Sequence, residues 1–133
     1  MLVTGVAVLA GCGANDRGEV QAKVRQLAQA TATKSYRTLC DDVFAPQLLA
    51  HLALSGLSCE RAMQIALADV QDPVLSIGQI TISGQRASAV TLSGARGQQG
   101  SIDAIGLIKT SRGWRAASLG SPAGVGQGSV NGG

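Results

Sequence analysis

The side chains able to do chemistry in this chain are few, and their spacing limits what they can do. Three cysteines, one histidine, one tyrosine and eight carboxylates stand among 133 residues. Cys12 closes a short apolar run, whereas Cys40 and Cys59 lie mid-chain. Thiols so placed can be acylated, oxidised to a disulfide or used as metal ligands. His51 is a candidate general base. It follows Ala50 in a leucine-rich stretch without an orienting partner nearby in sequence, which suits a surface or rim position. Asp103 alternates with Ile105 and Leu107, so it is the carboxylate most apt to share an interior face. Tyr36 falls on the apolar side of a helical pattern, where a half-buried tyrosine keeps its hydroxyl at the rim. Asp41 and Asp42 would point about 100° apart on a helix and could not chelate one ion together. Gly94-Ala95-Arg96-Gly97 lacks the strand, spacing and following helix of a phosphate-binding loop, and reads as a hairpin loop.

The run Leu2, Val3, Val6, Ala7, Val8 ending in Leu9-Ala10-Gly11-Cys12 resembles a bacterial lipobox. That resemblance implies diacylglycerol on the Cys12 thiol, cleavage ahead of it, and a protein lipid-anchored on the extracytoplasmic side of the cell membrane. Residues 1–11 are too short to span a bilayer, which needs about 20 apolar residues, so they read as a signal peptide. No Lys or Arg precedes the apolar run, although signal peptides carry a positive n-region; a true start upstream of Met1 would account for this. The competing reading is a buried N-terminal strand with an ordinary apolar cysteine.

With Cys12 consumed by lipid, Cys40 and Cys59 remain as an even pair in an oxidising compartment, and a disulfide is the economical reading. Closing a loop of roughly 20 residues would contribute about 3 kcal/mol. Two alternatives stay open at this stage: two buried thiols, or a zinc site, which needs four ligands where His51 is the only histidine. No metal and no cofactor is expected.

Composition fixes the scale of what must hold these groups. About 120 residues after Cys12 suffice for one domain, and 45% apolar residues argue for a folded one. With Tyr36, Phe44 and Trp114 the only aromatics, the core must be built of Ala, Val, Ile and Leu. The net charge of +3 comes from basic residues scattered from Arg17 to Arg115, without a block, a helical stripe or interleaved aromatics. Nucleic-acid binding is not expected from that pattern.

Residues 12–18 read as a polar tether, with Asp16 and Glu19 spaced like a capping box. A helix follows on Val20, Val24 and Leu27, ending near Thr33. A second helical stretch carries Tyr36, Leu39, Cys40 and Val43. Pro46 opens a short third helix, Ser55-Gly56 turns the chain, and Ser58 caps a fourth. Beyond Asp72-Pro73 the period becomes alternating, giving strands at 74–82, 85–93, 101–110 and 114–119. Gly78 marks a bulge, 94–100 is a polar loop, and 120–133 reads as a disordered Gly/Ser-rich tail. Helices followed by antiparallel strands describe an α+β domain, residues 19–119, with a curved sheet of about four strands against the helices.

Three features, the N-terminal helix, the segments Tyr36-Arg37-Thr38-Leu39-Cys40 and Leu57-Ser58-Cys59-Glu60, and the closing Gly113-Trp114-Arg115, resemble the NTF2-like, cystatin-like cone superfamily. The resemblance is in particular to its small secreted actinobacterial lipoproteins. It implies a cavity between sheet and helices. Steroid isomerases of that superfamily place a carboxylate base and a tyrosine donor there, for which the analogues here could only be Tyr36 with Asp103, Asp41 or Asp42. The strands offer Ile80, Ile82, Val90, Leu92, Ile102, Ile105, Leu107 and Ile108 with only Asp103 as a carboxylate, so an apolar ligand could be held without being transformed. Two functions follow as expectations: a membrane-anchored, non-catalytic envelope domain that binds or scaffolds a small apolar ligand or protein partner, or an envelope enzyme of the isomerase or cyclase type.

Overall fold

The computed structural model describes residues 12–122, folded as helices α1 (Cys12–Ala32), α2 (Tyr36–Thr38), α3 (Pro46–Ala53) and α4 (Cys59–Ala66), then strands β1 (Val74–Ser83), β2 (Arg86–Ala95), β3 (Gln98–Thr110) and β4 (Gly113–Pro122). The expected signal peptide, residues 1–11, and residues 123–133 of the expected tail lie outside the described residues, whereas 120–122, read from sequence as the start of that tail, belong to β4. A π-helical turn, Leu39–Val43, continues α2 and buries Leu39, Cys40 and Val43. Pro46 sits in the first turn of α3, where its missing N–H costs nothing. Ser58 caps α4 by accepting a hydrogen bond from the Arg61 backbone N–H at 3.2 Å.

The four strands form one antiparallel sheet in sequence order. Its inner face is a grid set by register. Leu75 lies beside Ser93 and Ser101; Ile77 beside Thr91 and Asp103; Ile80 beside Ala89 and Ile105; Ile82 beside Ala87 and Leu107. The Ile77/Ile80 register shift is the bulge expected at Gly78, and it keeps both isoleucines on the inner side. Against this face packs the α1 stripe Val20, Val24, Leu27 and Ala30. Phe44 and Trp114, each 1% exposed, fill the centre with Leu39, Val43 and Leu107. The space expected between sheet and helices is thus largely closed by two of the three aromatics.

Three expectations are corrected. The segment 94–100 is no loop: β2 and β3 run on to a two-residue turn at Arg96-Gly97, with Gly97 at φ 72. Leu92 and Ile102 do not face the interior; paired on the outer face, they are 54% and 56% exposed. Residues 12–18 are not a tether, because α1 already begins at Cys12 and Asp16 is buried.

Candidate functional site

Asp16 is the buried carboxylate that sequence reasoning missed. Placed one turn before Val20, it continues the apolar stripe of α1 and lands on the sheet side. There its Oδ1 accepts a hydrogen bond from Trp114 Nε1 at 3.1 Å and one from Lys109 Nζ at 2.8 Å. Hydrogen bonds from Lys109 and Trp114 hold its carboxyl below the usual aspartate range, with desolvation acting the other way. Both partners are spoken for by packing: Trp114 is buried, and Lys109 spans the rim. This constellation is a fastening between the first helix and the last strand, without an open coordination or substrate position. Lys23 is also perturbed. Burial lowers its pKa, Arg115 adds to this and Asp42 opposes it, while its Nζ donates to Gln26 and to the Asp42 carbonyl.

The residues singled out from sequence are placed apart. Cys40 and Cys59 form a disulfide with Cα atoms 5.9 Å apart, tying the π-helical turn to the start of α4; the zinc and free-thiol alternatives fall. His51 is exposed in the last turn of α3. Asp41 and Asp42 are exposed as well, and what they offer is backbone: the Asp41 carbonyl accepts from Arg115 and the Asp42 carbonyl from Lys23. Among the described residues no three His, Cys, Asp or Glu side chains assemble as metal ligands. Tyr36 belongs to α2, which packs on α1, α4 and the π-helical turn. Asp103 does lie on the inner face as its alternation indicated, but it accepts from Ser101 Oγ at 2.7 Å, and no hydrogen bond joins it to Tyr36 among the described residues.

A recess with a largely apolar wall lies at the end of the sheet where the inner face turns polar. The C-terminal half of α1 supplies Ala28 and Thr31; the segment after α4 supplies Leu67, Val70 and Pro73; the β2–β3 hairpin supplies Ser93, Gly94, Ala95, Gln98, Gln99 and Ser101. With Val74 and Leu75 these walls enclose about 240 Å³. This lies just under the roughly 300–1,000 Å³ usual for ligand sites. The hairpin wall is braced from outside: Arg96 pairs with Asp72, its backbone N–H donates to the Gln71 carbonyl, and Gln98 Nε2 donates to the Asp69 carbonyl. Among the described residues none of the lining side chains titrates near neutrality, and neither Tyr36 nor Asp103 contributes to the wall. No sequence signal marked these residues, because their types carry no reactive chemistry and the segment read as loop.

No protein-family profile matches this chain, and no curated protein matches it in sequence. Solved structures do match it in shape. The Kfla4162 protein of Kribbella flavida superposes with a TM-score of 0.58 at 15% identity, covering 84% of this chain and 93% of its own. An NTF-2-like protein of unknown function from Silicibacter pomeroyi gives a TM-score of 0.59 at 14% identity, covering 79% and 92%. At such identities the likeness establishes the fold: helices followed by a curved four-stranded antiparallel sheet, of NTF-2-like type.

Proposed function

We propose that this protein is a non-catalytic binding domain of the bacterial cell envelope, held at the membrane by lipid on Cys12, whose recess takes a small uncharged ligand. The observation that carries the reading is the chemistry of the wall: aliphatic carbons, two glutamines, serines and a threonine, and no side chain able to exchange a proton near neutral pH. General acid–base catalysis needs such a group positioned with a tuned pKa. Among the described residues, Asp16 and Lys23 have shifted pKa values, and both are engaged elsewhere in bracing the fold. The lipobox-like Leu9-Ala10-Gly11-Cys12 supports the anchor, and the Cys40–Cys59 bond suits an oxidising compartment.

The test is a titration of purified protein with 1-N-phenylnaphthylamine, an uncharged apolar fluorophore. Saturable enhancement by the wild type, lost in Ala28→Phe because the ring fills the recess, is the expected result. Enhancement equal in both proteins removes the recess as the site. Wild-type turnover of ketosteroids that collapses in Asp103→Asn or Tyr36→Phe would replace the binding reading with the isomerase one. A protein partner is the second reading, favoured by the outer sheet face, where Val74, Leu92 and Ile102 are 67%, 54% and 56% exposed. Its signature is loss of a cross-linked envelope partner in Leu92→Ser/Ile102→Ser with fluorophore binding retained.

A further inference from the structure

Basic residues that are far apart in sequence meet at one end of the fold. Arg86 opens β2 directly after the β1–β2 turn, paired with Ser83. Arg112 lies in the β3–β4 turn between Thr110 and Gly113. The Lys109 backbone N–H donates to the Gln85 carbonyl, which draws the two hairpins together, and Lys109 Nζ reaches Asp16 on α1. Arg17, the next residue of α1, donates from Nη1 to the Ile80 carbonyl on β1. Arg17, Arg86 and Arg112 are exposed, and none of the three is ion-paired among the described residues. Against them stand Asp16, already bonded to Lys109, Glu19, and Asp41, which lines a surface groove with Ser111, Arg112 and Arg115, so that with Lys109 and Arg115 counted the end keeps an excess of positive charge. The opposite end carries more carboxylates than bases, Lys34 and Arg96 being its cations. Asp69, Asp72 and Asp103 lie around the recess, with Arg96 paired to Asp72. From Arg86 to Ala95 the sheet separates the two ends by about 30 Å at 3.3 Å per residue.

The basic end is also the end at which α1 begins. From Cys12 to the buried Asp16 the chain is continuous helix, about 6 Å of rise at 1.5 Å per residue. Lipid on Cys12 would therefore hold the hairpin tips close to the headgroups, where a screening length of about 8 Å at physiological salt leaves attraction to anionic lipid effective. Each arginine near an anionic surface contributes about fivefold to the docked population.

We propose that the end carrying Arg17, Arg86 and Arg112 rests on anionic lipid headgroups, so that the recess opens away from the bilayer. This rests on the anchored reading given above and adds an orientation to it. The partner is the phospholipid surface itself. The test uses the lipidated full chain reconstituted in phosphatidylcholine vesicles with or without phosphatidylglycerol, carrying a fluorophore at Ser111→Cys or at Gln98→Cys, with a headgroup-linked quencher. In anionic vesicles the label at 111 is expected to be quenched at least fivefold more than the label at 98. Arg86→Gln/Arg112→Gln should bring that ratio below two, whereas the same charge change towards the far end, Arg25→Gln/Lys34→Gln, leaves it intact. Equal quenching at both labels, or an equal loss with the far-end pair, overturns the orientation. Failure of the anchor looks different: the protein does not float with vesicles, and its intact mass lacks acyl chains on Cys12.

Discussion

Removing the Cys40–Cys59 bond should cost this domain much of its stability, and the amount follows from chain length. The bond closes a sequence separation of 19 residues, for which loop-closure entropy gives about 3.3 kcal/mol at 25 °C. A domain of this size has an unfolding entropy of about 0.23 kcal/mol/K near its midpoint, so the melting temperature should fall by about 14 °C. Two perturbations separate the causes. Cys40→Ala/Cys59→Ala deletes the bond and two sulfur atoms, and Cys40 is only 6% exposed, so a packing loss adds to the entropic one. Reduction of the wild type breaks the bond while keeping both sulfurs. Thermal unfolding by circular dichroism, with and without reductant, reads both. A fall of about 14 °C on reduction with a slightly larger fall in the double variant is expected. A reduced wild type melting within 3 °C of the oxidised one would refute the reasoning, because the clamp would then restrict nothing that packing does not already fix.

Asp16→Asn tests the buried fastening through pH. Its folded-state pKa is depressed, so its stabilisation is complete above the ordinary aspartate value of about 3.9 and is lost as pH falls through the lower folded value; the gap in urea midpoint between wild type and variant should be widest at neutral pH and shrink in acid. A gap that does not change with pH removes the ionised bond as its source. Cys12→Ser should shift the protein out of the membrane fraction or leave an uncut precursor, read by fractionation and intact mass. Ala28→Phe should abolish uptake of the fluorophore while moving the melting temperature by less than about 4 °C, since the added ring enters empty volume; a larger fall would mean that the recess is closed in solution.

Element types and order were legible because each has a local cause. The 3.6-residue recurrence of Val20, Val24 and Leu27, Pro46 at a first turn, Ser58 at a cap and the alternation after Pro73 all act within a few residues. What escaped depends on distance. Asp16 reads as a cap until Lys109 and Trp114, 93 and 98 residues on, are brought to it. Leu92 and Ile102 read as interior because a strand with apolar residues on both faces does not declare which face is wet. The basic end is invisible for a related reason: its arginines are scattered along the chain and converge only when two hairpins and a helix start are set side by side. The recess was missed because its walls are chemically plain.

The bond between Asp16 and Trp114 also bears on when the chain can fold. Helix α1 is the first described element to be made, yet its buried carboxylate meets its partner only in β4, the last strand. The strands stand in the sheet in sequence order, so the buried Trp114 belongs to the strand made last. Non-local closure of this kind delays folding, because loop entropy must be overcome before the contacts reward it. In a polypeptide emerging N-terminus first, α1 can meet β1 early, through the bond from Arg17 to the Ile80 carbonyl, but Asp16 waits for Trp114 until almost the whole chain is available. On the lipid-anchored reading proposed above, in which the chain would cross a membrane unfolded, that delay would leave the last contacts untied until the final strand arrives.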